Sequence, residues 1–126
     1  MRLTIFASRD SQAARRLLNA PWVREWAGEL VFCQTPGELD RALCRPYPGL
    51  TATVALVADG EEIASLGHLT ELRYKLSLIL VLPDREPATV RLGHSLQPRF
   101  MTYSDVDPDQ ISQVLERLRV KEASHA

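Results

Sequence analysis

Apolar and polar positions divide this sequence into alternating segments of two kinds. One kind is a short apolar run rich in residues that favour β-strands. The other kind is a longer segment in which apolar residues recur every three or four positions, the spacing of one helix face. The pattern predicts five strands separated by helices, with the strands at residues 3–7, 29–34, 51–58, 76–82 and 100–103.

The third of these runs, Ala52 to Ala58, contains only small or apolar residues and no charge, and Asp59 and Gly60 follow it at once. An uninterrupted apolar run predicts a strand buried on both faces. In open α/β sheets, functional groups lie beyond the carboxyl ends of the strands. Asp59 is therefore the first candidate functional residue.

Capping residues and prolines mark where several helices begin. Thr35, Pro36 and Glu38 have the spacing of a capping box with proline in the first turn. Pro21 interrupts the first helical segment and is placed to begin a second short helix. The segment Asp107 to Gln110 predicts the start of the last helix.

This alternation predicts an α/β fold, because parallel strands need right-handed crossovers that usually contain a helix. The second and fifth runs are shorter or more polar, as edge strands are. We expect a three-layer α/β/α arrangement with a five-stranded parallel sheet of order 2-1-3-4-5, the flavodoxin-like order. A single domain is expected over residues 1–121, with a polar tail over residues 122–126.

Composition narrows the choice of partners. A chain of 126 residues that is 45% hydrophobic can build one domain with a core. Because 15 basic residues are balanced by 16 acidic ones, we expect neither a nucleic-acid partner nor a membrane surface. No apolar run is long enough to span a bilayer, and the first residues lack a signal-peptide pattern, so we expect a cytoplasmic protein. Cys33 and Cys44 are expected in the core as small apolar side chains.

The chain resembles the receiver domain of two-component response regulators over about residues 2–120. The resemblance rests on the five strand–helix units, on Leu56-Val57-Ala58-Asp59, and on the entry to the last helix through Asp107-Pro108-Asp109. It implies that Asp59 corresponds to the phosphoacceptor. It also implies an acidic pair after the first strand that holds Mg²⁺, a hydroxyl after the fourth strand and a lysine after the fifth.

At those three further positions this sequence departs from the family. The residues found there are Ser8, Arg9 and Asp10 after the first strand, Pro83 and Asp84 after the fourth, and Tyr103 and Ser104 after the fifth. Phosphoryl transfer depends on positioning and charge stabilisation, which these residues do not supply. The departures predict a degenerate, stand-alone pseudo-receiver that is not phosphorylated, is not an enzyme, and uses no cofactor or metal.

Two hypotheses concern the vacated cation position. In the first, the guanidinium of Arg9 occupies it and pairs with Asp59, which would hold a single conformation. The alternative is that Arg9 is a solvated loop residue. In the second, Asp84 and Asp105 join Asp59 in an acidic crevice that binds a divalent ion. The alternative there is that Asp84 caps a helix and Asp105 is solvated.

Aromatic and histidine side chains each allow a structural and a functional interpretation. Tyr103 lies near the position of an aromatic switch residue in receivers, or is an edge-strand side chain with an exposed hydroxyl. Trp22 and Trp26 share a helix face that suits either core packing or a partner-binding patch. His68 and His94 have no metal-ligand spacing within their helices and are expected to be solvated or capping residues.

The function predicted first is a non-catalytic signalling or docking module. By resemblance it would bind another signalling protein, or a second copy of itself, through the fourth helix, the fifth strand and the fifth helix. The alternative is a phosphoacceptor receiver that uses Asp59 with an altered site. A nucleotide or flavin binder, or a subunit of a larger assembly, are further possibilities, although no glycine-rich phosphate-binding motif is present.

Overall fold

A computed structural model of the chain describes residues 1–8, 12–26, 28–49, 51–68, 77–107 and 109–124. The described strands are β1 (Arg2–Ala7), β2 (Glu29–Cys33), β3 (Thr51–Leu56), β4 (Ser77–Leu82) and β5 (Phe100–Tyr103). The described helices are α1 (Gln12–Leu18), α2 (Pro21–Trp26), α3 (Pro36–Cys44), α4 (Gly60–Gly67), α5 (Pro87–Ser95) and α6 (Asp109–Ser124). Of the described helices, none is long and apolar enough to cross a membrane.

The five strands form one parallel sheet in the order β2-β1-β3-β4-β5. Leu3 pairs with Leu30 on one side and Ala52 on the other, and Ile79 pairs with Phe100. The predicted sheet order is confirmed, with β2 and β5 at the edges and β1 and β3 next to each other at the switch point. The fold is flavodoxin-like.

Side chains alternate across the sheet and fill two hydrophobic layers. One layer packs against α3, α4 and α5 and contains Phe6, Ala55, Leu80, Leu39 and Ile63 among others. The opposite layer packs against α1, α2 and α6 and contains Ile5, Val54, Leu17, Val23 and Leu115 among others. Helices therefore cover both faces, which confirms the three-layer arrangement.

Local sequence signals place several helix starts where they were predicted. The N–H of Glu38 donates to Thr35 Oγ1 at 3.1 Å, and the N–H of Gln34 donates to Glu38 Oε2 at 3.0 Å. Thr35 therefore caps α3 as predicted, whereas Glu38 reaches back to the N–H of Gln34, one residue before the N-cap of the predicted capping box. Pro21 begins α2, so the proline separates two short helices as expected.

Besides one-residue shifts at the ends of β1 and β2, three details differ from the sequence predictions. Strand β3 ends at Leu56, because the N–H of Ala58 donates to the side chain of Glu62 and Asp59 already caps the next helix. Helix α6 continues to Ser124, so the tail expected after residue 121 is helical as far as 124. The segment lacks proline and glycine, which permits this. Cys44 is exposed, whereas Cys33 is buried and burial, followed by the nearby charge of Glu38, raises its pKa.

Candidate functional site

The candidate site lies at the carboxyl ends of β1 and β3. Ala7 pairs with Leu56 in the parallel sheet, so the segments that follow these two residues emerge side by side. Ser8 is the first residue after β1, and Asp59 lies three positions beyond the end of β3. The fold therefore brings together two of the predicted site residues at the edge where an open α/β sheet places its functional groups.

Asp59 is the N-cap residue of α4. Its backbone is extended, with φ −162° and ψ 179°, and its Oδ1 accepts a hydrogen bond from the N–H of Glu62 at 3.0 Å. This bond satisfies one of the amide donors that every helix start leaves without an intrahelical partner. The carboxylate that resembles a phosphoacceptor thus has a structural role at the start of α4.

Glu62 is the site residue that the sequence interpretation missed. Its Oε1 accepts a hydrogen bond from the N–H of Ala58 at 2.8 Å, and its Oε2 accepts one from the hydroxyl of Ser8. The Glu62 carboxylate therefore bridges the ends of β1 and β3. The sequence held one signal for it, since Asp59 and Glu62 have the spacing of a capping box. No local sequence pattern predicts the contact between Glu62 and Ser8, which are 54 positions apart.

Three described donors at these carboxyl ends already serve carboxylates of the protein itself. The Ser8 hydroxyl and the Ala58 amide bind Glu62, while the Glu62 amide binds Asp59. Arg9 and Asp10 lie outside the described residues, as does Ser11. The pairing of Arg9 with Asp59 therefore stays a prediction.

A second cluster follows β4 and β5. Arg85 donates two hydrogen bonds to the carboxylate of Asp105, at 2.8 and 3.0 Å. The same guanidinium lies 4.2 Å from the centroid of the Tyr103 ring, within the range of a cation–π contact. Hydrogen bonding by Arg85 lowers the pKa of Asp105, and the same bond raises the pKa of Arg85. Both side chains are exposed, so solvent screens the pair.

This cluster corrects the expectation that Asp105 is simply solvated. Asp84 also differs from its predicted capping role: its Oδ1 accepts from the N–H of Glu86 at 3.0 Å and stabilises a turn before α5, whose N-cap has no side-chain hydrogen bond. Pro83 is half-buried, and Ser104 is exposed with its N–H donating to the Leu82 carbonyl at 2.9 Å. Neither side chain joins the cluster.

The acidic-crevice hypothesis is not supported in the part of the chain that the structure describes. There, no group of three or more His, Cys, Asp or Glu side chains could hold a metal ion. His68 caps the end of α4 and is exposed, and His94 is exposed on α5. Trp22 is half-buried and packs against the layer beneath α1 and α6.

Comparison of the chain with protein-family models, with curated proteins and with solved structures found no match. The resemblance to receiver domains therefore depends on the sequence features and the fold described above.

Proposed function

We propose that this chain is a receiver-like docking module. In it, the carboxyl ends of β1 and β3, where a receiver carries its phosphoacceptor, are joined by hydrogen bonds and serve a structural role. The observation that carries the proposal is the Glu62 carboxylate, which bridges Ser8 and Ala58 beside Asp59. A phosphodonor approaching the carboxyl ends of β1 and β3 would meet two carboxylates and three donors that already bind them. We place the module in cytoplasmic signalling of the two-component type.

Electrostatics supports a non-catalytic role. Phosphoryl transfer needs positive charge or hydrogen-bond donors aimed at the oxygens of the transferred group. Recruiting Glu62 as a ligand for Mg²⁺ would compete with its bonds to Ser8 and Ala58. Leaving a fully buried donor unsatisfied costs about 1–3 kcal/mol, and these two part-buried donors would lose a share of that. The bonds within the protein thus oppose formation of a cation site.

The β5 edge of the sheet supports the docking role. Arg85 contacts both the Tyr103 ring and the Asp105 carboxylate after β4 and β5. Next to it, α5 exposes Leu92, whose side chain is 38% accessible. An exposed apolar residue beside this cluster suits constitutive binding of another signalling protein through α5, β5 and α6.

Incubation with acetyl phosphate and Mg²⁺, followed by intact mass measurement, tests the non-catalytic part. We expect the wild-type chain and the Asp59→Asn variant to keep the same mass, while a receiver with a complete site gains a phosphoryl group in parallel. A phosphoryl gain by the wild type that Asp59→Asn abolishes would instead establish the alternative, a phosphoacceptor with an altered site.

Binding by surface variants tests the docking part. We expect a signalling partner co-purified with the wild type to be retained by a Phe32→Lys variant, which changes the distant β2 edge, and to be lost by Leu92→Lys. Loss of the partner with Phe32→Lys and retention with Leu92→Lys would place docking elsewhere.

A further inference from the structure

Strand β2 is an edge strand, with β1 as its neighbour in the described sheet. Its outer backbone groups pair with no other described strand. Leu30 and Phe32 are two positions apart in β2, so their side chains share a face, and they are 43% and 41% accessible. Two large apolar side chains are thus exposed beside a row of backbone hydrogen-bonding groups.

Edge strands of monomeric proteins are usually protected by charge, proline or a bulge. The sequence Leu30-Val31-Phe32-Cys33 contains no charge and no proline. The one charged residue of the strand is Glu29, which Arg45 pairs with at 3.2 Å. Beyond Glu29 the strand therefore carries neither charge nor proline, two of the features that normally prevent another strand from adding to an edge.

We propose that β2 is a homodimer interface, in which a second copy adds its own β2 in antiparallel orientation. Pairing centred on Val31 places Leu30 opposite Phe32 of the second copy, and Phe32 opposite Leu30 of the second copy. Side chains directly opposite in an antiparallel pair lie on one face and pack together. Both exposed apolar residues become covered in this one register.

Charges on the other face favour a second copy over an unrelated strand. Helix α3 lies beside β2 and exposes Glu38 and Arg41, which line an open groove of about 260 Å³ along the strand. Arg41 forms no ion pair with any described residue. A two-fold axis perpendicular to the sheet sets the two α3 helices antiparallel and side by side. Glu38 then faces Arg41 of the second copy, and the reverse pair forms by symmetry.

This interface lies at the opposite edge of the sheet from the proposed docking surface of α5, β5 and α6. One molecule can therefore bind a second copy and a signalling partner at the same time. A single strand pair with one helix pair makes a small interface, below about 1,200 Å², which is the range of weak complexes. Association should accordingly depend on protein concentration.

Sedimentation velocity across a concentration series tests the proposal. We expect the wild-type mass to rise from 14.2 kDa toward that of a dimer. Phe32→Lys and Leu30→Lys should each weaken association by at least about tenfold, since each buries a charge at the strand pair. Leu92→Lys is the matched control: it changes a similarly exposed apolar residue on α5 and should leave the dimer intact.

A charge exchange tests the two-fold arrangement. Arg41→Glu places like charges opposite each other and should weaken the dimer, and Glu38→Arg combined with Arg41→Glu should restore it. A wild type that stays monomeric throughout the series overturns the proposal. So does a dimer that Leu92→Lys breaks and Phe32→Lys spares, or a monomer that instead binds an extended peptide of another protein at β2. None of these outcomes depends on the phosphorylation result.

Discussion

The hydroxyl of Ser8, at the end of β1, donates a hydrogen bond to the carboxylate of Glu62, which lies 54 positions later in the chain. The other oxygen of that carboxylate accepts from the N–H of Ala58. Two central strands and the first turn of α4 are thereby joined by one side chain. In a sheet of this order, ligands normally bind at the carboxyl ends of these strands. In this protein, hydrogen bonds to Glu62 connect those ends to each other.

Replacing Glu62 tests whether its hydrogen bonds to Ser8 and Ala58 stabilise the fold. Glu62→Ala removes the acceptor for both Ser8 and Ala58, so we expect the free energy of unfolding in urea to fall by about 1–3 kcal/mol. Glu61→Ala is the matched control, because Glu61 is an exposed acid in the same helical turn. That change should cost about 0.5 kcal/mol, the loss of its attraction to the helix dipole. Equal losses in the two variants would contradict the bridging role.

Asp59 should be replaceable by other capping residues. Asp59→Ala removes the acceptor for the Glu62 N–H and should lower the free energy of unfolding by about 1 kcal/mol. Asp59→Asn and Asp59→Ser keep a capping oxygen and should retain most of the stability, as measured by denaturation in urea. A loss in Asp59→Asn as large as in Asp59→Ala would mean that the charge of Asp59, and not its cap, is what the fold requires.

The contact between Arg85 and Asp105 should be released in acid. Because the bond from Arg85 lowers the pKa of Asp105 in the folded protein, the ionised form is favoured by folding. The contribution to stability is present above the unfolded pKa, about 3.9, and is lost as the pH falls through the lower folded pKa.

NMR resonances of the Tyr103 ring report this release, since the ring lies beneath the Arg85 guanidinium. We expect them to shift below about pH 4, where aspartate begins to protonate. The shift should be absent in Arg85→Gln, which has no charge to release, and in Asp105→Asn, which does not titrate. Tyr103 resonances that shift identically with pH in all three proteins would show that the shift arises from another group.

Gly93 allows α5 to pack closely on the sheet. A Cβ at this position would lie 2.8 Å from Met101 Sδ, 3.2 Å from Leu80 Cδ2 and 3.3 Å from Leu82 Cδ2. Overpacking of this kind costs about 1–3 kcal/mol, against a gain of up to about 1 kcal/mol in helix propensity. We expect Gly93→Ala to be destabilised overall by about 1 kcal/mol in thermal or urea unfolding.

Gly37→Ala provides the comparison for Gly93→Ala. Gly37 lies in the first turn of α3, where a Cβ would approach only Thr35 Oγ1, at 3.9 Å. This variant gains helix propensity without a clash, so we expect it to be as stable as the wild type or up to about 1 kcal/mol more stable. A destabilised Gly37→Ala together with an unaffected Gly93→Ala would contradict the packing explanation.

The sequence by itself was enough for the architecture. Apolar runs such as Ala52 to Ala58 determine which segments can be buried between two layers, and their alternation with helices leaves a parallel sheet of order 2-1-3-4-5 as the prediction. Helix starts such as Thr35 with Glu38 were equally predictable. The strand and helix positions depend on residues within a few positions of one another, so local interactions decide them, while the predicted sheet order follows from the general rules for parallel α/β folds.

Tertiary structure alone decided what the candidate site contains. Ser8 with Glu62, and Arg85 with Asp105, are pairs joined only by the order of the strands, and no local pattern specifies which side chain reaches which. The exposure of Leu30 and Phe32 was likewise not predictable from the local sequence, because an apolar strand is covered or exposed according to what packs beside it. Long-range contacts depend on the assembled sheet, and therefore they appear only in the folded chain.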